Sequence, residues 1–152
     1  MTVHDYVMRL TQHCGLLEDQ VSLEVDEGDE VVTISLHVPE EDVGVFIGHR
    51  GETLASIQRL VRLVFQEEYG DRKLAIDVNS YRQERQQYLE DWAHRIVEEV
   101  VGGAGEYRFP YLSSYERFIV HSAISNSDQA DQVESFSEGE DRQRRLVVRL
   151  KS

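Results

Sequence analysis

Val45-Phe46-Ile47-Gly48-His49-Arg50-Gly51-Glu52-Thr53-Leu54 is the stretch whose reading decides the fold. Ahead of it runs an alternating segment, Val32, Ile34, Leu36 and Val38, which reads as a strand with one buried face. Behind it the apolar residues switch to helical spacing. Two glycines two residues apart allow a tight turn, because glycine alone reaches positive φ without a Cβ clash. Gly51 stands where the next helix should begin, so first-turn N–H groups and the positive dipole end would face outward together. That arrangement suits a phosphate oxygen. Arg50 adds a guanidinium able to hold phosphate through two donors.

On either side the pattern predicts a small α+β unit. Asp5 to Cys14 reads as a helix, Val21 to Asp26 and Val31 to Val38 as a hairpin across the acidic Gly28 turn, and Asp42 to Phe46 as a short helical turn. Leu54, Ile57, Leu60, Val61, Val64 and Phe65 share helical spacing up to Gly70, and Leu74, Ile76 and Val78 supply a third strand. The expected unit is a three-stranded sheet with its helices on one face.

A second unit follows almost without a linker. Tyr88, Leu89, Trp92, Ile96, Val97 and Val100 form one stripe of a long helix ending at Gly102-Gly103. After a short extended piece broken by Pro110, Ser113 and Glu116 are placed as a capping box for a helix reaching about Ile124. Val133 to Phe136 and Leu146 to Leu150 read as two further strands. Within the helix, Arg117 and His121 stand four apart and project from one face, a compact donor pair for phosphate or a sugar hydroxyl. Phe118, Ile119 and Ala123 are expected to turn mostly toward the core. Arg142, Arg144 and Arg145 enter the last strand beside that helix. The expected division is residues 1–80 and 81–152.

Composition narrows the function classes. The chain has 152 residues, a net charge of −13 and one cysteine, Cys14, so it forms no internal disulfide and no cysteine-based zinc site. The acidity is uneven: residues 1–42 hold eleven acids and one arginine. Basic side chains are 14 Arg to 2 Lys, which favours planar, bidentate contacts. No apolar run approaches the ~18 residues of a membrane span, and the first residues lack the regions of a signal peptide. A cytoplasmic protein is expected. Asp77, Asp91, His94 and His121 are the available acid–base groups, and nothing pairs them. There is no phosphate-loop motif and no His-Glu-x-x-His, so no enzyme, cofactor or metal site is expected. The acidic front leaves a protein-docking scaffold as the second reading.

The residues then resemble something known. Ile47-Gly48-His49-Arg50-Gly51-Glu52-Thr53-Leu54 is similar to the GxxG element of a KH domain, with a strand order suiting type II. Tyr115-Glu116-Arg117-Phe118-Ile119-Val120-His121 resembles the signature of the R-3-H domain. The two in this order resemble the bacterial Jag family, also called KhpB or EloR. Asp77-Val78-Asn79-Ser80-Tyr81-Arg82 and the segment Ser135 to Val148 match that family's junction and its Ser-Glu-Gly turn. The resemblance spans about residues 30 to 150. It implies binding of single-stranded RNA, with single-stranded DNA left open, in post-transcriptional control linked to cell-envelope growth or division. Gly48, His49, Arg50 and Gly51 would then clamp the backbone, with Ile47, Leu54 and Ile57 either supporting bases or serving as ordinary core. Arg117 and His121 would hold a second stretch, with Arg142, Arg144 and Arg145 as further nucleic-acid-binding residues. A small KH-only protein is the implied partner. Two departures stand out. Many members carry a further N-terminal domain for which the first residues are too few, and His49 takes a place usually held by a second basic residue.

Overall fold

A computed structural model describes residues 1–152, and they divide into two compact units, Met1–Arg82 and Gln83–Ser152. In the first, α1 (Val3–His13) opens on a capping box: the Thr2 hydroxyl accepts from the Asp5 N–H, and the Asp5 carboxylate accepts from the Thr2 N–H, both at 3.1 Å. Strands β1 (Ser22–Glu27) and β2 (Val31–His37) pair antiparallel, with Leu23 opposite Leu36 and Val25 opposite Ile34. A 3-10 turn over Glu40–Asp42 leads into α2 (Val43–Ile47) and the glycine loop. Then come α3 (Glu52–Val64), the single turn α4 (Gln66–Tyr69) and β3 (Lys73–Val78). β3 lies parallel to β2, so the sheet order is β1-β2-β3.

The alternation in β2 explains the layering. Val32, Ile34 and Leu36 are buried while Val31 and Thr33 are exposed, and β3 buries Leu74, Ile76 and Val78 in the same rhythm. One sheet face therefore carries the core, which is completed by Val3 and Val7 of α1, Phe46 and Ile47 of α2, and Leu54 and Val61 of α3. The end of β3 is tied down by polar side chains. Asn79, at φ 49, accepts from the Val38 N–H and donates to the Val38 carbonyl, each at 2.9 Å. Gln58 of α3 accepts from the Ile76 N–H and from the Arg82 guanidinium, while Asp77 accepts from the Arg82 N–H. Asp77 is thus a structural carboxylate.

α5 (Tyr81–Glu99), all but its first two residues in the second unit, runs into a π turn at Val100–Ala104. β4 (Glu106–Arg108), α6 (Ser114–Ser125), β5 (Val133–Glu138) and β6 (Arg145–Leu150) follow, and the antiparallel sheet has the order β4-β6-β5. Leu89, Ala93, Ile96 and Val97 of α5 pack with Ile119, Val120 and Ile124 of α6 and with Val133, Leu146 and Val148 of the sheet. Trp92 and Tyr107 both meet Phe109 edge-on at 5.0 Å. Ser113 and Glu116 form the expected capping box, and Glu116, only 7 % exposed, is held by the Arg85 Nε at 2.8 Å.

Four side chains depart from the expected inward stripes. Phe118 is 65 % exposed rather than turned to the core, and Tyr88 on α5 is 51 % exposed. Leu60 and Val64 share the spacing of the α3 core residues yet are each 49 % exposed. In each case the periodicity defines a stripe wider than the surface available to bury it, and residues at its edge stay in solvent.

Candidate nucleic-acid interface

The first cluster is the glycine loop. α2 ends when the Gly48 N–H donates to the Gly44 carbonyl at 2.9 Å. Gly48 then takes φ 69 and ψ −173, a region open in practice only to glycine. Space forbids a side chain as well: a Cβ there would lie 2.0 Å from the Thr53 Oγ1 and 2.9 Å from the Thr53 N. Arg50 is left-handed at φ 54, and Gly51 at φ 79 caps α3. No side chain caps that helix start, so its first-turn N–H groups are not consumed by one. His49 and Arg50 are exposed on the loop. The result is a convex backbone turn with N–H groups, a helix dipole and a guanidinium at one place. Ile47 and Leu54 are buried and belong to the core, whereas Ile57 is half-buried.

The second cluster belongs to α6 and the sheet beside it. Arg117, Phe118, His121, Phe136, Ser137 and Arg144 line a surface cavity of about 340 Å³. Three of the five basic or imidazole side chains named from the sequence for this unit thus come together. Arg117 is already engaged: it donates to the Leu112 carbonyl at 2.7 Å and to the Ser114 Oγ at 3.0 Å, holding the approach to α6. The His121 Nδ1 lies 2.6 Å from the Ser135 Oγ, which fixes the ring and leaves Nε2 as the atom available to a ligand. Arg144 donates to the Gly139 carbonyl at 3.1 Å from the edge of the cavity.

Arg142 and Arg145 do not line the cavity. Arg145 is half-buried, donates to the carbonyls of Arg142 and Arg144, and lies over the Tyr111 ring at 5.6 Å. Arg142 is exposed. The sequence reading missed Phe118, Phe136 and Ser135. Phe136 carries the Arg149 guanidinium 4.8 Å above its ring, and the Glu134 carboxylate bonded to Arg149 raises that guanidinium's pKa further. Nothing in α6 alone indicates Ser135; it is found only by folding β5 against the helix. No group of three or more His, Cys, Asp or Glu side chains is arranged to hold a metal ion, and no helix is long and apolar enough to cross a membrane.

Comparison with known proteins finds two separate family matches along the chain. Residues 4–78 match the KH domain of KhpA/KhpB, and residues 87–150 match the R-3-H domain. Among curated relatives, "RNA-binding protein KhpB" of Clostridium symbiosum is 32% identical over 132 residues, covering 86% of this chain and 57% of that protein. The protein of the same name from Lactiplantibacillus plantarum is 28% identical, covering 97% of this chain and 44% of its own length. That of Bacillus subtilis is 28% identical, over 76% of this chain and 56% of its own. The chain spans about half the length of the curated relatives it matches. A KH domain of the KhpA/KhpB kind followed by an R-3-H domain, together accounting for most of the chain, places it in the Jag/KhpB family.

Proposed function

We propose that this chain binds single-stranded RNA without acting on it chemically, gripping the backbone at two sites. The first is the loop Gly48-His49-Arg50-Gly51 in a KH unit of residues 1–80. The second is Arg117, His121 and Arg144 in an R-3-H unit of residues 81–152, with Arg142 and Arg145 shaping the strand entry. The observation that carries the reading is the loop: Gly48 has no room for a side chain, and α3 starts there without a side-chain cap. The name shared by the relatives, RNA-binding protein, supports the choice of ligand. Phosphate contacts position a strand without reading it, so neither site by itself specifies sequence.

The finer parts of the proposal are a cytoplasmic protein in post-transcriptional control of cell-envelope growth or division, and a small KH-only protein as partner. Leu60, Leu63 and Val64, exposed on one face of α3, give such a partner an apolar surface. The same face favours the second reading, a protein-docking scaffold with weak RNA affinity.

Fluorescence anisotropy with short single-stranded RNA and DNA at two salt concentrations tests the proposal. Arg50→Asp and Arg144→Ala should each weaken binding in a chain that remains folded, and RNA should outcompete DNA. A folded wild type that binds neither nucleic acid at low salt overturns it and favours the scaffold.

A further inference from the structure

Phe118 separates two concavities of the second unit. On one side lies the cavity with Arg117, His121 and Arg144. On the other is a groove of about 370 Å³ between α5 and α6, whose lining includes Gln86, Glu90, His94, Tyr115, Phe118 and Asn126. The α5 wall is a row at i, i+4 and i+8: an amide, a carboxylate and an imidazole on one face of the helix. The α6 wall offers two rings three residues apart, Tyr115 at 64 % and Phe118 at 65 % exposure. Two large rings left in water beside a row of hydrogen-bonding groups are not explained by packing, since unit two has its own core without them.

We propose that this groove is a base-recognition subsite, taking one unstacked nucleobase with an amino-bearing edge, guanine best. The inference rests on the RNA-binding reading above. A strand whose phosphate lies at His121 and Arg144 reaches the groove by turning one base across Phe118, the only large aromatic side chain that lines both concavities. Stacking on Phe118 and Tyr115 replaces the lost base stacking and tolerates any base. The carboxylate makes the choice. Glu90 receives one bond from the Gln86 Nε2 at 2.9 Å, which steadies it, and a carboxylate has roughly four acceptor sites, so acceptor capacity remains. An acceptor-only group favours bases whose edge donates. Guanine presents N1–H and the 2-amino group side by side, cytosine and adenine present one amino group each, and uracil presents only N3–H between two carbonyls that a carboxylate repels.

The test uses the full chain and two RNA ten-mers of equal charge, oligouridine and alternating uridine–guanosine, in anisotropy competition. The wild type should bind the guanosine-containing strand about tenfold more tightly, the size of one good two-donor pair. Glu90→Gln should abolish that preference, chiefly by raising oligouridine affinity, because the neutral amide no longer repels the uracil carbonyls and can donate to one of them. Phe118→Ala should weaken both strands by about tenfold and Phe118→Tyr should restore them, because the ring and not its chemistry is required. Equal affinity of the wild type for the two strands overturns the inference. So does an unchanged preference in Glu90→Gln together with unchanged binding by Phe118→Ala. If Arg144→Ala still weakens both strands in that case, the phosphate grip stands and only the base subsite fails. If Arg144→Ala changes nothing either, the underlying RNA-binding reading of this unit fails with it. Melting temperatures of all variants confirm folding, and the exposure of Phe118 predicts little change.

Discussion

Gly48→Ala perturbs the loop at its least tolerant point, and the size of the effect follows from the geometry. The backbone at φ 69 and ψ −173 lies where non-glycine residues pay about 1–3 kcal/mol. The added methyl would also sit 2.0 Å from the Thr53 Oγ1, 2.7 Å from its Cβ and 2.9 Å from its N. A rotamer change moves only the first of these atoms, so the start of α3 must shift as well. Together these costs are on the order of 3 kcal/mol. For a unit of this size each kcal/mol lowers the midpoint by about 4–8 °C, so the KH unit should melt roughly 15 °C earlier. Gly51→Ala is the internal control. It keeps a left-handed backbone at φ 79, but its methyl meets only the Tyr81 ring edge at 3.3 Å. Its cost should be about 1–2 kcal/mol, the ordinary penalty of that region. Adding Thr53→Ala to Gly48→Ala should recover only part of the loss, because the Cβ and N contacts persist. Thermal unfolding of the full chain by circular dichroism reads all three. A Gly48→Ala variant that melts with the wild type, or later than Gly51→Ala, would refute the reasoning, as would full recovery by Thr53→Ala.

Other consequences follow from single contacts. Arg85→Ala leaves the buried Glu116 carboxylate without its partner at 2.8 Å, so the second unit should lose about 2 kcal/mol in a denaturant titration; a change below ~0.5 kcal/mol would contradict this. Ser135→Ala removes the group 2.6 Å from the His121 Nδ1 and should weaken RNA binding about threefold through a mispositioned ring, with the nitrogen-15 shifts of the His121 ring changing alongside; unchanged affinity would contradict this. Raising salt from about 50 to about 150 mM should cut RNA affinity by about five- to tenfold if two to three phosphates are neutralised, and a flat response would rule out a phosphate grip. The Thr2 backbone N–H, then its hydroxyl, hold the Asp5 carboxyl below its ordinary value of 3.8. A lowered folded pKa means that the cap is fully present above the unfolded value and is lost as pH falls through the folded one. The first turn of α1 should therefore stay intact at neutral pH and fray below about pH 4, read from the Asp5 amide exchange rate; fraying near pH 6 would contradict it.

What was legible in the sequence was local. The β2 alternation, the two-glycine turn and the Ser113–Glu116 box are each written within a few residues, and each forms as read. The helical stripes were legible only to within one position at their edges. Phe118 sits beside Ile119 in sequence, yet Ile119 is 8 % exposed and Phe118 65 %, because the sheet covers one side of α6 and nothing in the second unit's core covers the next. The second site was half legible for a related reason. Arg117 and His121 share a helix face by spacing alone, but spacing does not give their partners: Leu112 just before the helix, Ser114 at its first position, and Ser135 from a strand fourteen residues on. Likewise Arg142, Arg144 and Arg145 read as one basic group, and only Arg144 lines the cavity. Arg142 lies in a 3-10 turn over Asp141–Gln143, whereas Arg144 and Arg145 are neighbours in extended chain and send their side chains to opposite sides.

The central claim is that two separate backbone sites hold one kind of ligand, and a nuclear magnetic resonance titration tests it most directly. With nitrogen-15-labelled chain and a short single-stranded RNA, amide shifts should change in two groups: Gly48 to Thr53 around the glycine loop, and Ser114 to His121 with Ser135 to Arg144 around the α6 cavity. Shifts confined to the exposed Leu60, Leu63 and Val64 face of α3, or no shifts at saturating RNA, would contradict the account.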